Sequence, residues 1–222
     1  MAPASVSPDT SLPAIVIAVD GPAASGKGTI ARALARHFGL PHMDTGLLYR
    51  AVALNLLQTG GDLESEFAAT RACDLSQIDF ADPELKSETV GGIASRISTY
   101  PSVRQALLQR QRTFAEQPGG AVLDGRDIGT VIAPHAQVKL FVMASAEERA
   151  DRRMRELGQR GMTARYEDVL LDIQARDQRD SERGAAPLRQ APDAILIDTS
   201  GMSVEDAIAA AISAAETRLQ PA

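Results

Sequence analysis

The sequence predicts an α/β fold: a doubly wound parallel sheet with flanking helices. Three observations predict it. Short, continuous, β-branched runs alternate with stretches of helical period, the pattern of parallel strands joined by crossover helices. The first such run ends in a glycine-rich turn that opens a helix. The chain has 222 residues, 44% hydrophobic and 23% charged, which is enough apolar material for one substantial core.

The elements follow in order. Ala14-Ile15-Val16-Ile17-Ala18-Val19 reads as a strand buried on both faces. A helix from about Lys27 to His37 stops at Gly39 and Pro41, and a second, Leu47 to Leu57, ends at Gly60-Gly61. Asp62 to Ser87 is polar and weakly patterned, and no element is assigned there. A helical period resumes over Glu88–Ser98, Pro101 interrupts it, and a further helix runs to about Ala115. Ala121-Val122-Leu123-Asp124 and Val138-Lys139-Leu140-Phe141-Val142 read as strands. Ser145, three residues before Glu148, is a capping-box signature for a helix to about Leu157. Gly158 and Gly161 bracket a flexible loop, and Tyr166 to about Arg179 has helical spacing. Ala194-Ile195-Leu196-Ile197-Asp198 is a last strand, and Ser203 with Asp206 caps an alanine-rich helix. The expected organisation is a single domain over residues 14–222, with inserts near 60–100 and 155–165. A floppy Pro/Ser/Thr-containing tail over 1–13 precedes it.

Composition narrows the partners. Lys and Arg total 23 against 29 Asp and Glu, a net charge of −6, which argues against nucleic acid or anionic lipid. No apolar run approaches the ~20 residues needed to cross a bilayer. Met1 to Pro13 lacks the basic and apolar regions of a signal peptide, so a cytoplasmic location is expected. The lone Cys73 excludes an intrachain disulfide and reads as a small buried hydrophobe. No His/Cys spacing suits a transition metal, and His37, His42 and His135 are assigned no role. Only three lysines occur, Lys27, Lys86 and Lys139, so arginine carries most of the positive charge.

The strongest chemical signal is Gly21-Pro22-Ala23-Ala24-Ser25-Gly26-Lys27, a G-x-x-x-x-G-K phosphate loop placed after a strand and opening a helix. Glycines let successive N–H groups turn toward phosphate oxygens, the helix N-terminus adds positive potential, and Lys27 supplies a point charge. Gly28 intervenes before Thr29, whose hydroxyl still reaches a metal or a phosphate. Asp124 closes an apolar strand where a carboxylate would orient Mg²⁺; an ordinary loop cap is the bland alternative. No N-K-x-D motif supports a guanine-nucleotide switch, and the chain is short for a motor, which leaves small-molecule phosphoryl transfer. A kinase of another acceptor, such as shikimate, and a non-catalytic nucleotide switch are the rival readings. Arg149, Arg152, Arg153, Arg155, Arg160 and Arg165 flank the glycine-bracketed loop, and Arg176, Arg179 and Arg183 follow it. Guanidinium forks suit phosphate, and a mobile arginine lid would exclude water. Of these, Arg152 and Arg155 read as plain surface residues.

Several segments resemble a known family. Gly21-Pro22-Ala23-Ala24-Ser25-Gly26-Lys27-Gly28-Thr29 is similar to the phosphate loop of nucleoside monophosphate kinases. Asp44-Thr45-Gly46-Leu47-Leu48-Tyr49-Arg50, Leu123-Asp124-Gly125-Arg126-Asp127-Ile128-Gly129-Thr130 and Arg176-Asp177-Gln178-Arg179-Asp180 resemble bacterial cytidylate kinases. The resemblance spans about residues 14–219 and implies a P-loop kinase fold with a nucleotide-binding insert and a lid. It implies transfer from ATP, with Mg²⁺, to CMP or dCMP, by a chain expected to act as a monomer. Residues 21–29 would hold ATP, with Thr29 and Asp124 toward Mg²⁺. Thr45, Arg50 and Arg126 would meet the CMP phosphate, and Arg183 a phosphate as well. Ser95, Arg104 and Asp127 would read the cytosine edge, although Ser95 alone reads as a helix serine and Asp127 could merely pin Arg126. Arg176 and Asp180 would contact the ribose. Lys27, Arg149, Arg153 and Arg160 would serve the transfer from the ATP side and the lid. Thr45 stands where the family usually has serine. The small β-rich subdomain usual after the first CMP-contact helix has little room between Gln77 and Ser87.

Overall fold

The computed structural model describes residues 14–220, so the tail expected over 1–13 lies outside the described residues. Five parallel strands, β1 (Ile15–Asp20), β2 (His42–Asp44), β3 (Gly120–Gly125), β4 (Val138–Met143) and β5 (Ile195–Asp198), form one sheet in the order β2-β3-β1-β4-β5. Eight α-helices are described: α1 (Lys27–Phe38), α2 (Thr45–Gln58), α3 (Glu66–Arg71), α4 (Glu88–Ile97), α5 (Pro101–Ala115), α6 (Ala146–Gln159), α7 (Tyr166–Glu182) and α8 (Val204–Leu219). Chain order and sheet order diverge at β1, whose neighbours lead to opposite sides of the sheet. That divergence opens the crevice where α/β proteins bind ligands.

Strand alternation divides the core. Ile17 and Val19 of β1 face α1 and α8, packing with Ile30, Leu34, Leu140, Ala211 and Ala215. Ala18 faces the other way, with Leu123, Ile128 and Ala115. A third cluster belongs to the helices α2–α5 themselves, through Leu48, Val52, Leu56, Ile93, Ile97 and Leu107. The helix signals hold at atomic level. Ser145 accepts from the Glu148 amide (3.1 Å) and Ser203 from the Asp206 amide (3.0 Å), while Gly39 ends α1 in the left-handed conformation.

Four features differ from expectation. β2 has three residues, too few to give a pattern, and follows Pro41 directly. Residues 62–87, left unassigned, contain α3 and a 3₁₀ turn at Pro83–Lys86, and no strand. Their caps are local: Ser65 accepts from the Ala68 amide (3.2 Å) and Asp82 from the Glu84 amide (2.8 Å). Gly158 does not open a loop but lies inside α6, which runs on to Gln159. A π-helical turn at Ile128–Ile132, also unforeseen, follows β3.

Candidate active site

Register brings the chemistry to one edge. Asp20, Asp44 and Asp124 all stand at the carboxyl ends of their strands, with Asp44 opposite Asp124 and Asp20 opposite Gly125. Residues 21–26 leave β1 past β4 so closely that a Cβ on Gly21 would lie 2.0 Å from the Val142 carbonyl oxygen. Ala24 (φ 59°) and Gly26 (φ 86°) take left-handed conformations, which curl the loop into the concave form that binds anions. Lys27 Nζ folds back across it to donate to the Pro22 carbonyl (3.2 Å). Burial, and then Arg126, push Lys27 down to about 8, with Asp124 and Asp44 working the other way.

Asp124 is buried. As a carboxylate it can only accept, and His42 Nε2 donates to its Oδ1 (2.7 Å). Sequence reading assigned no role to His42 and missed Asp44. The signal for Asp44 was its place at the head of the Asp44–Arg50 segment that carries the family resemblance; for His42 there was none. Burial and the Asp124 charge raise Asp44 above the usual carboxylate range. Thr29 Oγ1 accepts from Arg32 Nη2 (3.3 Å) at the mouth of the loop. These hard oxygen donors, and the mutual repulsion of the two carboxylates, fit a divalent cation such as Mg²⁺. Among the described residues no group of three or more His, Cys, Asp or Glu forms a closed metal cage. Such an ion would therefore keep water or phosphate ligands, as Mg²⁺ does.

On the other side of Asp124, the nine residues expected to meet CMP line a single pocket: Thr45, Arg50, Ser95, Arg104, Arg126, Asp127, Arg176, Asp180 and Arg183. They come from α2, α4, α5, the β3 exit and α7. Thr45 donates to the Asp124 carbonyl (2.9 Å), joining the start of α2 to β3. Asp127 is buried between two guanidiniums: Arg104 pairs with its Oδ2 and Arg183 Nη2 with its Oδ1 (3.2 Å). Arg104 also lies over the Tyr49 ring, 5.8 Å from its centroid. Arg126 Nε donates to Asp180 Oδ2 (2.6 Å), which with Arg183 and Lys27 holds Asp180 below its ordinary range despite burial. Ser95 Oγ is buried in the pocket wall without a hydrogen-bond partner. Behind the pocket, Asp20 accepts from the Ile128 and Gly129 amides (2.8 Å each) and anchors the turn that follows Asp127.

The arginines are not equivalent. Arg50 donates to the carbonyls of Leu85 (2.8 Å) and Ser87 (3.1 Å); burial, Arg176 and Arg153 lower it to about 10. Arg153 pairs with Glu88 and Glu156, and Arg160 donates to the Lys86 carbonyl (3.2 Å). Arg149, expected to line the ATP side, lies beneath it. Its fork pairs with Asp177 (2.9 and 2.5 Å), and it donates to the carbonyls of Ala144 (3.0 Å) and Ala23 (3.2 Å). Arg155 is exposed as expected. Arg152 is not plain surface, because the same helix turn that exposes Arg155 aims Arg152 at the phosphate loop. It donates to Ser25 and Thr199 and, with Gly26, Thr29 and Thr199, lines a second pocket beside the loop. Cys73 is half-buried, and burial pushes its thiol up to about 11.

Similarity to known proteins agrees with this arrangement. The family model described as "Cytidylate kinase" matches residues 17–217. The chain is 57% identical over 205 residues to the cytidylate kinase of Xanthobacter autotrophicus, covering 92% of this chain and 98% of that one. To the cytidylate kinase of a Methylobacterium species it is 61% identical over 181 residues, covering 81% and 86%. A crystal structure of an uncharacterized protein from Eubacterium ventriosum shares the fold (TM-score 0.55, 16% identity, 91% of this chain and 98% of that one). The chain belongs to the cytidylate kinase family.

Proposed function

We propose that the chain transfers the γ-phosphoryl group of ATP to CMP or dCMP, giving ADP and CDP or dCDP. One observation carries the residue assignment: nine separately encoded side chains line one pocket that abuts, across Asp124, the phosphate loop. In this reading residues 21–29 take the ATP phosphates. The second pocket, between Gly26, Arg152 and Thr199, takes the ATP nucleoside. The acceptor phosphate lies against Thr45, Arg50 and Arg126, with Arg183 also toward phosphate, and Arg176 and Asp180 face the ribose.

The acceptor phosphate is already an ionised nucleophile, so no side chain has to remove a proton. The work is positioning and charge neutralisation. Lys27 and the loop amides hold the transferred group, and Arg153 and Arg160, on a lid formed by the end of α6 and residues 160–165, close over it. Asp124, Thr29 and Asp44 would hold Mg²⁺, which when bound neutralises charge on the ATP phosphates. Arg149 acts from beneath, through the Ala23 carbonyl.

Base choice rests on Asp127. Each carboxylate oxygen has two lone pairs, so Asp127 can keep both arginines and still accept from the cytosine N4 amino group. In this reading Arg104 and the Ser95 hydroxyl, which has no hydrogen-bond partner of its own, donate to N3 and O2. Uracil would set O4 against Asp127, two acceptors facing, at a cost of ~1–3 kcal/mol. The test is ADP release from ATP and Mg²⁺ with CMP, dCMP, UMP, AMP, dTMP and shikimate as separate acceptors. CMP and dCMP are expected to dominate, and Asp127→Ala is expected to erase most of the preference over UMP. Equal CMP and UMP turnover in the unaltered protein would overturn the base assignment, and turnover independent of any acceptor would overturn the reaction.

A further inference from the structure

We propose that Arg152 is a positioning residue for ATP, acting through the Ser25 carbonyl to set the direction of a phosphate-binding amide. The C=O and N–H of a trans peptide point in opposite directions within one plane. A loop that turns its amides toward phosphate must therefore turn its carbonyls away from it, and those carbonyls need donors of their own. The Ser25 carbonyl shares its peptide plane with the Gly26 amide. It accepts from Arg152 Nη1 (3.3 Å) and from Thr199 Oγ1 (3.2 Å).

Thr199 sits at the buried end of the junction, and Arg152 is partly exposed toward the second pocket. Thr199 is 2% exposed, and its hydroxyl also lies 3.1 Å from the Met143 carbonyl at the end of β4. Arg152 completes it with Nη1 on Thr199 Oγ1 (2.9 Å) and Nη2 on the Thr199 carbonyl (2.7 Å), while Glu148 holds its Nε (3.2 Å). A planar guanidinium with donors at fixed angles makes these bonds together; an ammonium at the end of a lysine does not. Three segments thus meet at one point: the phosphate loop, the chain leaving β5, and α6. The neighbouring loop carbonyl, Ala23, is held from the same helix by Arg149 (3.2 Å), so α6 fixes two of the loop's peptide planes. Movement of α6 would be felt directly in the loop.

The inference rests on ATP occupying the phosphate loop, so the test measures ATP binding by calorimetry without acceptor, beside KM for each substrate and the melting temperature. The variants are Arg152→Gln, Arg152→Lys, Thr199→Val and the Arg152→Gln/Thr199→Val pair. Arg152→Gln is expected to weaken ATP binding and raise KM for ATP about tenfold, with KM for CMP unchanged within twofold. Arg152→Lys should not restore it. Thr199→Val should shift the same constant, and the pair should lose less than the product of the single losses, because both act on one carbonyl. Equal rises in both KM values, in step with a fall in melting temperature, would reduce Arg152 to a structural brace. Full rescue by lysine would leave charge alone as its contribution, and unchanged ATP affinity in all variants would remove the role. Failure of the unaltered protein to bind ATP would instead overturn the proposed function.

Discussion

Asp20 shows how a single side chain can carry an unfavourable charge for the sake of a site. Its two oxygens take the first amides of the turn after Asp127, yet burial outweighs those donations and pushes the carboxyl from 3.8 up to about 7, with Asp127 adding to the rise and Arg126 opposing it. A raised acid binds its proton more tightly in the folded chain. Between pH 3.8 and about 7 the folded state therefore holds more protons than the unfolded state, and stability falls as pH rises; above about 7 the penalty is complete. Asp20→Asn removes that dependence. The stability of the unaltered protein relative to Asp20→Asn should decline by up to about 1.4 kcal/mol per pH unit across this window. Denaturant midpoints at several pH values measure it, and parallel curves for the two proteins would show that Asp20 stays ionised throughout. Asp20 carried no sequence signal beyond ending a strand. His42 and Arg152 carried no signal at all, because their partners lie 82 and 127 residues away.

Elements were legible where local chemistry repeats. The β-branched run of β1, the glycine-stopped α1 and the serine-capped α6 and α8 are set by residues within a few positions of one another. The three-residue β2 and the six-residue α3 are too short to repeat, and tertiary contact with β3, α2 and α5 decides them. Helix α4 shows what such contact adds. Arg50 crosses it from α2 at Gly91, where a Cβ would lie 2.7 Å from Nη2 and 3.0 Å from Nη1. The glycine thus serves the arginine rather than the helix. Alanine would help the helix by roughly 0.5–1 kcal/mol while displacing the guanidinium from the Leu85 and Ser87 carbonyls. Gly91→Ala is expected to hold or raise the melting temperature while raising KM for CMP about tenfold. A loss of stability at unchanged KM would mean that helix packing, not Arg50, requires the glycine.

At the scale of the whole molecule, the acceptor helices and the proposed lid each have packing of their own and share a small contact. Helices α2–α5 have their own core cluster, and α6 and α7 pack on one another. The two sides meet where α4 packs on α7 and where the short segment Leu85–Glu88, held to α2 through Arg50, offers the Lys86 carbonyl to Arg160 and the Glu88 carboxylate to Arg153. The proposed reaction assigns phosphate contacts to the same three arginines. Glu88 is the only acidic side chain of that segment, and it pairs with Arg153 of α6. Removing its charge should loosen the meeting of the two sides without disturbing either core. In Glu88→Gln, amide exchange over residues 85–92 and 157–165 is expected to quicken severalfold in the ligand-free protein. The difference should vanish once ATP and CMP are bound, because phosphate then takes the arginines. Exchange unchanged in the free protein would show that the Arg160 contact to backbone and the packing of α4 on α7 suffice. Faster exchange that persists with both substrates would place Glu88 in the packing of α4 rather than in the closure.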